Sequence, residues 1–369
     1  MKKKITISLI ILAVIVAGIA IYFTQKPKEP ETIKIGAILP LTGNLAVIGE
    51  PEKNAILMAQ NTSKEKTKLK IFIEDNKGDP KEAVNIVNKL HFIERIKIFV
   101  VSPSAAILSV IPVIQKFDGI LFAITSMPNI GDGQYVFHIC PNSKQEMIQL
   151  CEWLNKKGVS QIAFVYPNND LGQIIYKTFS DEFKGKIVFA EAYQPGTKDY
   201  RSIITKVKNQ VGNIELISFQ GYPGDIPIFI KQAREIGIKA QFITSMATTW
   251  PETIKNLSSM NESPIFMVPT VMIEEFQSVE TRNFVKQFFD KNKEYPNWDA
   301  YYSFETISII KKFSESPNQL NVDELRSFLK NKTYKGIIGE IRFNSNGEIF
   351  VPFVPATILK GKIVPVEKK

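Results

Sequence analysis

From Ile33 onward, short apolar runs of strand length alternate with stretches whose apolar residues recur at helical spacing. The runs fall at 33–39, 69–74, 97–101 and 119–123, and again at 161–166, 186–191, 215–219, 241–244 and 264–268. Between them, Ile86, Val87 and Leu90 follow Asp79-Pro80, and Ile107, Val110, Ile111 and Ile114 follow Ser104. Each set repeats as one face of a helix, with a helix start signal in front of it. Strands alternating with helices predict an α/β chain with parallel sheets. The stretch Phe137-His138-Ile139-Cys140-Pro141-Asn142 interrupts the alternation, and the units after it look like a second copy of the same architecture. A chain of 369 residues exceeds what one core usually serves, so two lobes are expected.

The first unit, 34–55, joins a buried strand to a helix through a polar loop. Pro40 ends the apolar run, and Thr42-Gly43 and Gly49 let the backbone turn closely behind it. Open α/β sheets bind ligands at the carboxyl ends of their strands, so this loop belongs to a candidate site.

The N-terminus changes the picture. Lys2, Lys3 and Lys4 precede a charge-free run from Ile5 to Phe23, about 19 residues that span roughly 29 Å as a helix. Ile21, Tyr22 and Phe23 follow Ala20 where a signal peptidase prefers small residues, so an uncleaved anchor is favoured over a cleaved signal. No cysteine follows Val16-Ala17-Gly18, which argues against a lipid anchor. The leading lysines stay in the cytoplasm and everything after Thr24 lies outside. Residues 25–32, rich in charge and proline, read as a tether. Outside the membrane Cys140 and Cys151 are free to pair or to stay buried as thiols. The sequons at Asn61, Asn256, Asn261 and Asn331 permit glycosylation without requiring it.

Charge and chemistry mostly exclude. The formal net charge of +9 comes from lysines spread along the chain, not from an aromatic-interleaved basic stripe, which argues against nucleic acid. His91 and His138 are the only histidines, and neither stands at metal-ligand spacing. No glycine-rich phosphate loop ending in Lys-Ser/Thr is present. A binding protein without cofactor or metal is expected, and an enzyme is not.

Several ordered landmarks carry a resemblance: Pro40-Leu41-Thr42-Gly43 with Gly49, Glu74-Asp75-Asn76 with Asp79-Pro80 and Ala83, Gly221-Tyr222, Gln232-Ala233, Gly237, and Phe343-Asn344 with Gly347. Over residues 33–360 the chain resembles the Leu/Ile/Val-binding-protein branch of type I periplasmic solute-binding proteins. The resemblance implies two doubly wound parallel-sheet lobes joined by three crossovers, near 137–142, 267–272 and 343–347. It divides the chain into an anchor or signal (1–24), a tether (25–32), one lobe (33–139 with 268–343) and another (140–267 with 344–369). Such proteins close their lobes around a small solute and commonly deliver it to an ABC permease in the membrane. Others are ligand-sensing ectodomains that act with a separate signalling partner; the absence of a second span or a signalling segment after Pro355 favours the importer.

In the resembled family, two loops of the first lobe hold the ligand's carboxylate. They correspond here to Ser102-Pro103-Ser104-Ala105 and to Thr125-Ser126. Ser104 also reads from the sequence as the N-cap of a helix over 105–116, whose free N–H groups favour an anion. Tyr222 matches a family tyrosine that reaches the ligand from the second lobe, and Leu171 stands where a tyrosine is common. Met246 stands where the family has an acid for an amino acid's ammonium. An ammonium without a buried counter-charge is costly, so a carboxylate or amide lacking an ammonium is expected over leucine. Asp299 is the named replacement acid, although a solvated helix acid fits its pattern better. Trp298 and Tyr301 either line the side-chain pocket or pack in the core.

Overall fold

The computed structural model describes residues 32–61, 68–211, 214–315 and 321–367; the expected anchor and most of the tether lie outside them. The first sheet takes β1 (Thr32–Leu39), β2 (Lys68–Asp75), β3 (Ile98–Val101), β4 (Ile120–Ala123) and β5 (Val136–His138) in the order β2-β1-β3-β4-β5, all parallel. Its helices are α1 (Ala46–Asn61), α2 (Pro80–Glu94) and α3 (Ser104–Lys116). The helix α2 starts as expected: Asp79 accepts hydrogen bonds from the N–H groups of Lys81 and Glu82, with Pro80 in the first turn. The strand β5 was not foreseen. It starts at Val136 and runs into the stretch read as a break, where Phe137 and His138 pair with Phe122 and Ala123, so the chain leaves this sheet only after His138.

The second sheet repeats the design. After α4 (Ser143–Lys156) come β6 (Gln161–Pro167), α5 (Asp170–Glu182), β7 (Lys186–Tyr193), α6 (Arg201–Val211), β8 (Leu216–Phe219), α7 (Asp225–Glu235), β9 (Gln241–Thr244), α8 (Pro251–Ser259) and β10 (Ile265–Pro269). Its parallel part is ordered β7-β6-β8-β9-β10, the same reversal as in the first sheet. It departs from a purely parallel sheet at one edge, where β13 (Phe353–Leu359) and β14 (Lys362–Pro365) add as an antiparallel pair.

Between β10 and β13 the chain returns to the first sheet's side. The helices α9 (Val279–Asn292), α10 (Trp298–Ser314) and α11 (Val322–Asn331) precede a small hairpin, β11 (Tyr334–Gly336) with β12 (Gly339–Ile341), and α10 packs along α1. The passages between the two units are tied together. The His138 N–H donates to Gly347 O at 2.7 Å and the Ile349 N–H to His138 O at 3.3 Å. The side chains of Gln145 and Gln149, one turn apart on α4, bond backbone on the last passage as a strand would. Gln145 donates to Ile349 O and accepts from the Val351 N–H; Gln149 donates to Val351 O and accepts from the Phe353 N–H. One buried cluster runs through both units, from Ile124 and Cys140 to Met246, Trp250, Trp298 and Tyr301.

Candidate functional site

In an open parallel sheet the ligand crevice lies outside the carboxyl ends of the strands, where the strand order reverses. That point falls between β1 and β3 in the first sheet and between β6 and β8 in the second. Ser102, Ser104 and Ala105 follow β3, and Leu171 and Tyr222 follow β6 and β8, at these two points; Thr125 and Ser126 follow β4 and Met246 follows β9, each one strand further along.

On the first edge, the turn 74–76 holds the loops. Asp75 accepts from the Leu41 N–H at 2.9 Å and from the Thr42 hydroxyl at 2.5 Å, while buried Asn76 donates to Ser102 O at 2.6 Å. Ser104 does not cap α3 as expected. It is the first helical residue, Pro103 takes the N-cap position without a side-chain bond, and the Ser104 hydroxyl pairs with that of Thr125 at 2.6 Å. The reason is local: Ser104 follows β3 and Thr125 follows the neighbouring strand β4, so the two hydroxyls lie within reach of each other. Thr125 also accepts from the Met127 N–H at 3.1 Å. Ser126 is half-buried, its hydroxyl makes no hydrogen bond among the described residues, and its carbonyl accepts from the Ser143 N–H at 2.9 Å. Ala105 is exposed at the helix start.

On the second edge, the Asn169 amide donates to the Tyr222 hydroxyl at 2.8 Å, bridging the loops after β6 and β8. Tyr222 is 38% exposed, and Leu171 packs half-buried against the core. Met246 is buried just past β9. Trp250, from the same loop, meets Trp298 of α10 edge-on with ring centroids 5.9 Å apart. Tyr301 is buried and packs on Phe284.

Three buried acids surround these loops. Asp299, read from the sequence as a solvated helix acid, is instead 2% exposed, because α10 is wrapped by its neighbours; the Asn297 amide donates to it at 3.2 Å. Glu52 on α1 is fully buried and neither of its carboxylate oxygens completes a hydrogen bond among the described residues. Burial first, and the neighbouring Asp299 charge second, hold the Glu52 carboxyl well above the usual carboxylate range, with the nearby Ser102 hydroxyl offsetting a part. Burial raises Asp299 as well. Glu146 on α4 is 2% exposed and accepts from the Met246 N–H at 2.7 Å; burial pushes its carboxyl up to about 8 against that single N–H. Sequence reasoning missed Glu52 and Glu146. Each stands on the apolar stripe of its helix, Glu52 with Ala55, Ile56 and Ala59, and Glu146 with Met147, Leu150 and Leu154, and an acid on such a stripe was the signal available.

Cys140 and Cys151 are both free and buried. Among the described residues, no group of three or more His, Cys, Asp or Glu is arranged to hold a metal ion, and no helix is long and apolar enough to cross a membrane.

The chain is 21% identical to the leucine-, isoleucine-, valine-, threonine- and alanine-binding protein of Pseudomonas aeruginosa over 93% of each chain. It is 22% identical to the Leu/Ile/Val-binding protein of Escherichia coli over 86% of this chain and 88% of that one. Among solved structures, the substrate-binding protein LivJ of Streptococcus pneumoniae in complex with isoleucine superposes with a TM-score of 0.80 at 20% identity, covering 90% of this chain and 98% of that one. A Rhodopseudomonas palustris solute-binding protein in complex with p-hydroxybenzoic acid gives 0.77 at 16% identity, covering 92% and 96%. Such relatives are solute-binding proteins and not enzymes, and the chain shares their nature. The model of the family described as periplasmic binding protein matches residues 32–360, and on that extent the chain belongs to the periplasmic binding protein family.

Proposed function

We propose that this chain is the extracytoplasmic solute-binding component of an ABC-type importer, closing its two units around a small carboxylate or amino-acid-like solute. One observation carries the reading. The paired hydroxyls of Ser104 and Thr125, the unengaged hydroxyl of Ser126 and the first N–H groups of α3 stand together at the carboxyl ends of β3 and β4 in the first sheet, and Tyr222 and Met246 stand at the carboxyl ends of β8 and β9 in the second. Hydroxyls and helix N–H groups suit a carboxylate. The names of the relatives point to branched-chain amino acids, and the p-hydroxybenzoate complex shows that this fold also takes a carboxylate without an ammonium.

Family membership implies an extracytoplasmic place of action. Residues 5–23 would then anchor the chain and 25–32 tether it within reach of a membrane permease. The division into lobes at 33–139 with 268–343, and 140–267 with 344–369, is the one this reading uses. The test is a chain starting near Pro27, heated with a panel of amino acids, amides and branched or aromatic carboxylates. A true ligand at a hundredfold excess over its Kd should stabilise the protein by about 2.7 kcal/mol. No stabiliser in the whole panel would count against the reading.

A further inference from the structure

A buried carboxylate is costly unless a cation or several donors face it. Glu146 has neither. Among the described residues it accepts one hydrogen bond, from the Met246 N–H, and forms no ion pair. Its position is specific. Asn142 caps α4 through the Gln145 N–H, and the Ser143 N–H holds Ser126 O of the first sheet's edge. One turn on, Glu146 reaches Met246 at the end of β9 in the second. The carboxylate therefore stands between the hydroxyl loop of one sheet and the strand-end loop of the other.

Position, burial and want of a cation have one economical explanation. We propose that Glu146 is the counter-charge for a positively charged group on the solute, held by the Met246 N–H to face an ammonium while the Ser104, Thr125 and Ser126 loops take the carboxylate. This rests on the solute-binding reading and deepens it, since it selects zwitterionic amino acids over simple carboxylates. It also removes the premise for expecting an ammonium-free solute. The Met246 side chain brings no charge, but its backbone fixes an acid that arrives from α4.

The test compares L-leucine with 4-methylpentanoate, the same skeleton without its ammonium, by calorimetric titration at one pH on wild type, Glu146→Gln and Glu146→Asp. Glutamine keeps an oxygen for the Met246 N–H and cannot ionise to face an ammonium, so melting curves should show it folded. Wild type should bind leucine the more tightly, Glu146→Gln should lower the leucine to 4-methylpentanoate affinity ratio by thirtyfold or more, and Glu146→Asp should keep most of the preference. An unchanged ratio in Glu146→Gln overturns the proposal, as does an aspartate variant as impaired as the glutamine one. Wild type that binds 4-methylpentanoate but neither leucine, isoleucine, valine, threonine nor alanine overturns it while leaving the solute-binding reading intact. Failure of every solute of either class counts against both.

Discussion

The loop after β1 and the loop after β6 bring strand and helix together in one way, yet at one buried position the first has an acid and the second an aliphatic. In each, a strand ends at a proline, and a helix begins so close that a side chain on its glycine would collide with that proline's carbonyl: Gly49 against Pro40 and Gly172 against Pro167. Three residues beyond the glycine, the first unit has Glu52, fully buried, and the second has Ile175, 5% exposed. The second unit shows that the fold asks only for an aliphatic side chain there. A buried acid in place of an aliphatic commonly lowers stability, so Glu52 and its neighbour Asp299 are a burden that packing alone does not explain.

The largest effect should come from breaking what the two loops share. Gly49→Ala and Gly172→Ala each press a methyl group into a backbone carbonyl, and each should cost about 4 kcal/mol or more. Urea unfolding measures this, and a variant within about 0.5 kcal/mol of wild type would show that the two loops are not equivalent.

Next in size is a pH effect at the buried acids. Glu146 titrates at about 8 in the folded chain against an ordinary value of 4.5. Glu305, which accepts from the Ile337 and Ile338 N–H groups, is raised by burial to about 7. For an acid raised on folding, the folded state keeps a proton that the unfolded chain releases. Stability should therefore fall as pH rises from about 4.5 towards 8 and then level off. For Glu146 the loss should reach up to about 5 kcal/mol. The unliganded protein should melt at lower temperature at pH 8 than at pH 5, and Glu146→Gln should flatten much of that slope. A slope identical to wild type would mean that Glu146 does not carry it.

The comparison itself is sharpened by Glu52→Ile, which installs the second unit's residue in the first. We expect a gain of about 1–2 kcal/mol at pH 7; a loss would mean that the carboxyl is held by contacts its counterpart lacks. The smallest effect is at the hydroxyl pair. Ser104→Ala removes the partner of Thr125 and should cost about 1 kcal/mol of stability. Ser126→Ala should leave stability alone and weaken carboxylate binding by about 1–3 kcal/mol, and titration showing wild-type affinity would remove Ser126 from the site.

The sequence by itself determined the alternation of strands and helices, the start of α2 at Asp79-Pro80 and the family, because periodicity and cap chemistry act over a few residues and survive at about one identity in five. It showed which loops would lie at the strand ends. It did not show β5, whose three residues are too few to carry a period and are strand only because β4 and the last passage pair with them. It misplaced Ser104, since a serine before an apolar helix reads as a cap whether it caps or bonds a threonine 21 residues on. The acids are the clearest case. Glu52, Glu146 and Asp299 look like ordinary helix carboxylates until α10 packs on α1 and the first turn of α4 meets the end of β9. Burial and partnership are properties of elements far apart in the chain, and only the tertiary structure brings those elements together.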